Sequence, residues 1–140
     1  MLRKSTTAAA AMILFAGAAS AQSPNDTCAT AIGLTLATPV ATDNTIAIDE
    51  GLLPFACAAA SAPDVWYSFT SASTNDLRFE LCGSSYDTAL EIFDGSCNAL
   101  NLIECNDDSC GLQSGVTLAG VVPGTTYYAR IGGFNGATGF

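Results

Sequence analysis

Hydrophobic side chains alternate with polar or small ones in several short runs after residue 21. The clearest run is Leu77-Arg78-Phe79-Glu80-Leu81, in which charged side chains separate apolar ones. Successive side chains of a strand point to opposite faces, so each run predicts a strand with one buried and one solvated face. The predicted strands, given by their apolar positions, are Ile32, Leu34 and Leu36; Ile46 and Ile48; Val65, Tyr67 and Phe69; Leu77, Phe79 and Leu81; Leu90 and Ile92; Val116 and Leu118; and Tyr127, Ala129 and Ile131.

Turn-forming residues separate these runs. Examples are Asp94-Gly95-Ser96 and Pro123-Gly124, and the second fits a type II turn because glycine supplies the positive φ. No sustained helical period follows residue 21, and residues 51–63 form an Ala- and Pro-rich connection. Short strands with a turn about every 8–12 residues predict an all-β antiparallel sandwich, Greek-key or jelly-roll-like, of about eight strands.

Residues 1–21 have the three parts of a secretory signal peptide. Arg3 and Lys4 form a positive start, Ala8 to Ala19 is uncharged and mostly apolar, and Ala19-Ser20-Ala21 is a cleavage site. The apolar run of about 12 residues is shorter than the ~20 that a spanning helix needs. The sequence therefore predicts a signal peptide over 1–21, one domain over 22–140, and a product that is secreted or held at the cell surface.

The predicted export route gives the cysteines a structural role, because disulfides form in oxidising compartments. Six cysteines follow the leader: Cys28, Cys57, Cys82, Cys97, Cys105 and Cys110. The sequence leaves their connectivity open, and we favour Cys105–Cys110 because it closes a short polar loop, with Cys82–Cys97 and Cys28–Cys57 as the other pairs. A cysteine nucleophile or a metal site would need reduced thiols, and no histidine is present to activate one.

Charge and composition narrow the function. The chain has 4 Lys+Arg, 13 Asp+Glu and no His. Loss of the leader would leave Arg78 and Arg130 as the cations, so two cations against 13 acidic residues give a net charge of −11. Nucleic-acid and anionic-membrane partners are not expected, because phosphates bind clustered Lys and Arg. Without histidine, His-based zinc sites and Ser-His-Asp hydrolysis are excluded, so we expect a non-catalytic protein with no enzymatic site.

A polar loop between two cysteines is the candidate metal site. It contains Asn106, Asp107 and Asp108, and Asp87 and Asp94 are candidate additional ligands. Calcium takes about 6–8 oxygens from carboxylates, amides, backbone carbonyls and water. The same residues also suit an ordinary turn in which Asx side chains bond nearby backbone amides, and EF-hand spacing is absent.

Aromatic residues occur as adjacent pairs on two predicted strands, Trp66-Tyr67 and Tyr127-Tyr128. Adjacent residues of a strand point to opposite faces, so one of each pair should lie in the core. Trp66 and Tyr128 are the candidate ligand-binding residues, as in sandwiches that stack sugars on exposed aromatic rings. The alternative is that both pairs are structural, because aromatic residues are common in strands.

Two short patterns complete the candidates. Asn25-Asp26-Thr27 fits the N-x-[ST] glycosylation motif. Glu80 and Glu91 lie on the predicted wet faces of strands, where we expect solvated carboxylates rather than a catalytic pair.

Five segments in order resemble a bacterial secreted β-sandwich of the pre-peptidase C-terminal type. They are Asn25-Asp26-Thr27-Cys28-Ala29-Thr30-Ala31, Pro63-Asp64-Val65-Trp66-Tyr67-Ser68-Phe69, Tyr86-Asp87-Thr88-Ala89-Leu90-Glu91-Ile92-Phe93-Asp94-Gly95, Cys105-Asn106-Asp107-Asp108 and Gly124-Thr125-Thr126-Tyr127-Tyr128-Ala129-Arg130-Ile131-Gly132-Gly133. Such modules commonly flank exported enzymes, and some bind calcium. They continue past a G-x-F-like segment into a final strand, so the resemblance implies a fragment that lacks its last strand.

The resemblance and the missing catalytic chemistry lead to one expected function. We expect a secreted, non-catalytic module that binds or adheres to an extracellular polymer, protein or surface, with calcium as a candidate stabilising ion. The alternative is an accessory or processing domain of an exported hydrolase whose catalytic part lies outside this sequence.

Overall fold

The computed structural model describes residues 22–49, 54–58 and 63–140. The predicted signal peptide and most of the connection 51–63 lie outside the described residues. Two three-residue 3-10 helices, Cys28–Thr30 and Phe134–Gly136, accompany the strands, and neither helix is long and apolar enough to cross a membrane. The strands of the described part are β1 (Ile32–Gly33), β2 (Val65–Thr70), β3 (Leu77–Glu80), β4 (Thr88–Ser96), β5 (Ala99–Asn106), β6 (Gly115–Leu118) and β7 (Thr126–Gly133).

These strands form two sheets. The larger sheet has five strands in the order β1-β2-β7-β4-β5, and the smaller sheet pairs β3 with β6. All neighbours are antiparallel except β1, which runs parallel to β2. The predicted all-β antiparallel sandwich is confirmed, with seven strands in the described residues where we expected about eight.

The segment around Ile46 and Ile48 is not a strand, which corrects the prediction. Thr45 and Ile46 form a turn, both isoleucines are exposed, and Ala47 between them is buried. The Asp43 side chain accepts hydrogen bonds from the backbone N–H and the hydroxyl of Thr45. A local Asx turn therefore competes with the extended conformation that the two isoleucines favour.

The core lies between the two sheets and is built mainly from the predicted inward positions of β2, β3, β4, β6 and β7. Val65, Leu90 and Ile92 are almost completely buried on the large sheet. They belong to one cluster with Leu77 and Val116 of the small sheet. Alternation along the strands thus fixes which side chains face the other sheet.

The outer face of the large sheet, opposite the core, is also partly covered. Trp66, Arg130 and Glu91 lie side by side on it, because Arg130 is the register partner of both others. Phe55 packs against this face, where a Cβ added at Gly132 would lie 2.7 Å from its ring. Only glycine at position 132 therefore lets the ring sit directly on β7.

Three disulfides are present and the described residues contain no free cysteine, as predicted. The expected pairing is wrong at all three bonds, which are Cys28–Cys97, Cys57–Cys105 and Cys82–Cys110. Short-loop closure was the wrong criterion, because the sheet topology brings together cysteines that are 28 to 69 residues apart. Two of the bonds fasten the segments that cover the outer face to the large sheet.

Candidate functional site

A cleft of about 570 Å³, the outer cleft, opens on the outer face of the large sheet. This volume lies within the ~300–1,000 Å³ that is usual for small-molecule sites. The described residues that line it come from four strands of the large sheet (β2, β4, β5 and β7), from the turn between β4 and β5, and from two covering segments, 27–29 and 54–56. They are Thr27, Cys28, Ala29, Pro54, Ala56, Trp66, Glu91, Phe93, Cys97, Asn98, Leu100, Leu102 and Arg130.

Two aromatic rings contribute to the floor of the outer cleft. Trp66 and Phe93 have ring centroids 5.7 Å apart, with their planes tilted by 32°. Trp66 is only 2% exposed, and its Nε1 is buried without a hydrogen-bond partner among the described residues. A buried indole N–H usually finds a partner, so this donor is an unused polar group on a residue that lines the cleft.

A buried ion cluster lies beside these rings. Arg130 is 5% exposed, donates from Nε to Asp64 and donates from an Nη atom to Glu91 at 3.2 Å. The other oxygen of the Glu91 carboxylate accepts the backbone N–H of Ala56 at 2.8 Å. The guanidinium carbon lies 4.3 Å from the centroid of the Phe55 ring, which adds a cation–π contact.

The position of Glu91 corrects the expectation that this carboxylate is solvated. Glu91 does lie on the predicted outer face, but the segment 54–58 covers it and Arg130 neutralises it. Burial raises the pKa of Asp64, while the hydrogen bond and charge of Arg130 act in the opposite direction. The positive charge of the Arg130 guanidinium therefore offsets the desolvation penalty of each buried carboxylate.

Disulfides hold the walls of the outer cleft. Cys28 and Cys97 both line it and are bonded to each other. The lining also includes Pro54 and Ala56, which lie close in sequence to Cys57 of the Cys57–Cys105 bond. Because the walls are fixed before a ligand binds, less conformational entropy is lost on binding than in a flexible site.

Trp66 and Tyr128 occupy the face that alternation predicts for them, while Tyr67 and Tyr127 are in the core. Trp66 lines the outer cleft but is too buried to offer an open ring face for stacking. Tyr128 is half-buried opposite Phe93 and lies outside the lining. Sequence reasoning missed Phe93, although its spacing from Glu91 on the same strand face was the signal that could have found it.

The N-x-T pattern at Asn25 serves the fold. Asn25 is buried, and its side-chain amide donates to the carbonyl of Trp66 at 2.9 Å. The backbone N–H of Trp66 in turn donates to the carbonyl of Asn25 at 2.8 Å. Asn25 thus supports the strand that carries Trp66, and its amide is not exposed for glycosylation.

The structure brings part of the predicted calcium site together. Burial, followed by the charges of Asp108 and Asp87, raises the pKa of Asp107. One carboxylate oxygen of Asp87 and one of Asp107 are buried without a hydrogen-bond partner among the described residues. The carbonyl oxygen of the Asn106 side chain accepts the backbone N–H of Gly115 at 2.9 Å, so it is already used by the fold.

Asp94 is separated from these groups. Asp87 precedes β4 and Asp94 lies near its other end, so seven residues of strand put roughly 23 Å between them. Asp94 accepts a hydrogen bond from the Asn101 side chain at 3.0 Å. Within residues 22–49, 54–58 and 63–140, no three His, Cys, Asp or Glu side chains are grouped so that they could hold a metal ion.

A second cleft of about 460 Å³ lies between the segment 34–42 and β3. Its lining consists mainly of apolar core side chains such as Leu34, Phe69 and Leu77. Its charged residues, Arg78 and Glu80, pair with each other at 2.6 Å. The outer cleft is the better candidate site because it combines aromatic rings, buried polar groups and fixed walls.

Comparison with known proteins adds a family. A family model described as galactose binding domain-like, associated with T9SS (the type IX secretion system), matches residues 24–137. This range includes all the described strands and every lining residue of the outer cleft. No curated protein and no solved structure matches the chain.

Proposed function

We propose, since the chain belongs to the T9SS-associated galactose binding domain-like family, that it is an exported, non-catalytic module that binds a carbohydrate in the outer cleft. The observation that carries the proposal is the buried, unpaired indole N–H of Trp66 beside the ring of Phe93. A sugar presents apolar C–H faces and hydroxyl oxygens. The first would pack on Phe93, the less buried of the two rings, and the second would accept the indole N–H once binding displaces the groups that cover it.

The same family supports the proposed location of the protein outside the cell or at its surface. Its T9SS association and the sequence of residues 1–21 both favour a secreted or cell-surface location. The resemblance to pre-peptidase C-terminal domains also implied an exported β-sandwich module, which agrees with this assignment. The partner we propose is an extracellular polymer that carries the sugar, and the role of accessory domain to an exported hydrolase is the alternative.

Titration with D-galactose tests the proposal. We expect binding by the parent protein and about tenfold weaker binding by Trp66→Phe, because this variant keeps an aromatic ring and removes one hydrogen-bond donor to the ligand. Tyr128→Phe is the matched control, since it removes a polar group from the same sheet face outside the cleft lining. Its affinity should equal that of the parent.

A second cleft variant guards against a folding defect. Asn98 is exposed in the turn before β5 and lines the cleft, so Asn98→Ala should weaken binding without lowering the melting temperature. Failure of a panel of neutral sugars that includes galactose to bind the parent protein would reject the carbohydrate function. Equal affinities of the parent, Trp66→Phe and Asn98→Ala would reject the outer cleft as the site.

We also propose that calcium binds at Asp87 and Asp107. The support is chemical: each residue has a buried carboxylate oxygen without a partner in the described chain, and their like charges raise the energy of the ionised pair. Backbone carbonyls and water would supply the other oxygens of the 6–8 that calcium usually takes. The ion would act on stability and not on a reaction.

Melting in calcium and in EDTA tests this second proposal. Saturating calcium should stabilise the parent by about 2.7 kcal/mol at 100 times Kd. Asp107→Asn should abolish that gain, and Asp76→Asn, in an exposed loop before β3, should retain it. In EDTA, Asp107→Asn should melt higher than the parent at pH 7, because a raised pKa means that ionising Asp107 costs the folded state free energy. Identical parent melts with and without calcium would end the proposal.

A further inference from the structure

Arg130 is the one cation among the described lining residues of the outer cleft, and it is already engaged. Its guanidinium binds Asp64 and Glu91 and stacks on Phe55, with all three ionic side chains buried. If the Arg130 side chain moved to pair with an anionic ligand, Asp64 or Glu91 would lose its ion pair while still buried. That loss is costly, because breaking a buried ion pair exposes the full desolvation penalty of the remaining charge.

The charge around Arg130 is already negative. Two carboxylates face one guanidinium, and a third, that of Asp26, is buried close enough that its charge adds to the effect of burial on the pKa of Asp64. The other cation in the described chain, Arg78, lies on the small sheet and pairs with Glu80. A negatively charged group entering the outer cleft would therefore meet repulsion and no uncompensated cation.

The remaining polar groups of the lining are uncharged. Trp66 has a buried N–H donor without a partner, and Asn98 has an exposed amide with donors and an acceptor. These groups suit hydroxyls, which both donate and accept. They do not neutralise a carboxylate or a sulfate.

We infer that the outer cleft selects uncharged saccharides and rejects those that carry a carboxylate at the ring bound there. The inference rests on the proposed carbohydrate function and adds the chemical class of its ligand. Arg130 sets the selectivity because its guanidinium is already paired with Asp64 and Glu91. It therefore stabilises the fold and does not bind an anionic ligand.

Matched pairs of hexose and uronic acid test the selectivity directly. Galactose and galacturonate differ only at C6, as do glucose and glucuronate, and mannose and mannuronate. At low ionic strength, we expect the acid of the bound pair to have an affinity about tenfold or more below that of its neutral partner. The difference should narrow as salt is added, because salt screens the repulsion.

Glu91→Gln is the informative variant, because it keeps the shape of the side chain and removes one negative charge beside Arg130. We expect it to narrow the gap between the neutral sugar and the acid, with its melt recorded in parallel. If the variant does not fold, the salt series on the parent protein still decides the matter. An acid that binds as tightly as its neutral partner, or more tightly, would overturn the selectivity while leaving the carbohydrate function intact. Failure of all six sugars to bind would instead remove both.

Discussion

Asn44 is the residue whose side chain joins the most distant parts of the described chain. It is completely buried, and its amide nitrogen donates to the carbonyls of Pro63 at 3.0 Å and Ala137 at 3.3 Å. Its side-chain oxygen accepts the backbone N–H of Gly139 at 2.8 Å. One amide thus satisfies backbone groups at three places that no strand pairing reaches.

Asn44→Ala should therefore be among the most destabilising single substitutions. It leaves two half-buried carbonyls and one buried N–H without this partner, and we expect a loss of about 2–4 kcal/mol of unfolding free energy in urea. Asn101→Ala, which removes an exposed bond to Asp94, should cost roughly 0.5 kcal/mol or less. A loss below about 1 kcal/mol for Asn44→Ala would show that these bonds contribute little.

At the level of single residues, the sequence predicts well on which face of the sheet a side chain lies. It predicts poorly whether another segment of the chain covers that face. Alternation correctly separates Trp66 from Tyr67, because it depends only on strand geometry. It places Glu91 on the outer face but cannot show that Phe55 and Ala56 will cover that face. The ion partner of Glu91 is Arg130, 39 residues away in sequence, so no local pattern links them.

Among the structural elements, the covering segment 54–58 depends most on covalent anchoring. It contains no strand or helix, and the Cys57–Cys105 bond ties it to β5. The hydrogen bond from Ala56 to Glu91 adds a second attachment. The wall of the outer cleft that this segment forms should be the first part of the site to loosen when the disulfide is removed.

Paired cysteine variants separate stability from site geometry. On the loop-closure model, the double substitution Cys57→Ser with Cys105→Ser opens a ring of 48 residues and should cost about 4 kcal/mol, and it should weaken galactose binding. The double substitution Cys82→Ser with Cys110→Ser opens a ring of 28 residues away from the cleft. It should cost about 3.5 kcal/mol and leave the affinity unchanged. Equal affinity losses in both variants would contradict a wall held by Cys57–Cys105.

The elements themselves were predictable where alternation is uninterrupted. β2, β3, β6 and β7 lie where the apolar positions place them. The alternation of Ile32, Leu34 and Leu36 is an exception, because β1 ends at Gly33 and Leu36 is exposed in a turn. β5 escaped prediction because it contains a bulge: Ile92 pairs with Glu104 and Phe93 with Leu102, which leaves Ile103 as an extra residue. One extra residue shifts the period by one position, so the apolar side chains of β5 do not follow a single alternation.

For the whole molecule, the sandwich was predictable and the site was not. Strand count and turn spacing indicate two packed sheets, because each strand must bury one face. The outer cleft instead arises from the order of strands in the large sheet. That order places Trp66, Arg130 and Glu91 side by side on three neighbouring strands that are far apart in sequence. The disulfides then bring two covering segments onto these residues. Both features depend on long-range topology that local patterns do not contain.

The most direct test of the central claim, that the outer cleft binds a neutral sugar, is a nitrogen–proton correlation NMR titration of the full mature protein with galactose. The chain contains one Trp, so the indole N–H of Trp66 gives a single, identifiable signal. We predict that this signal moves together with the backbone amides of residues 91–93 and 97–102. An unmoved indole signal, with changes confined to the segment 34–42 or to residues 106–108, would contradict the account.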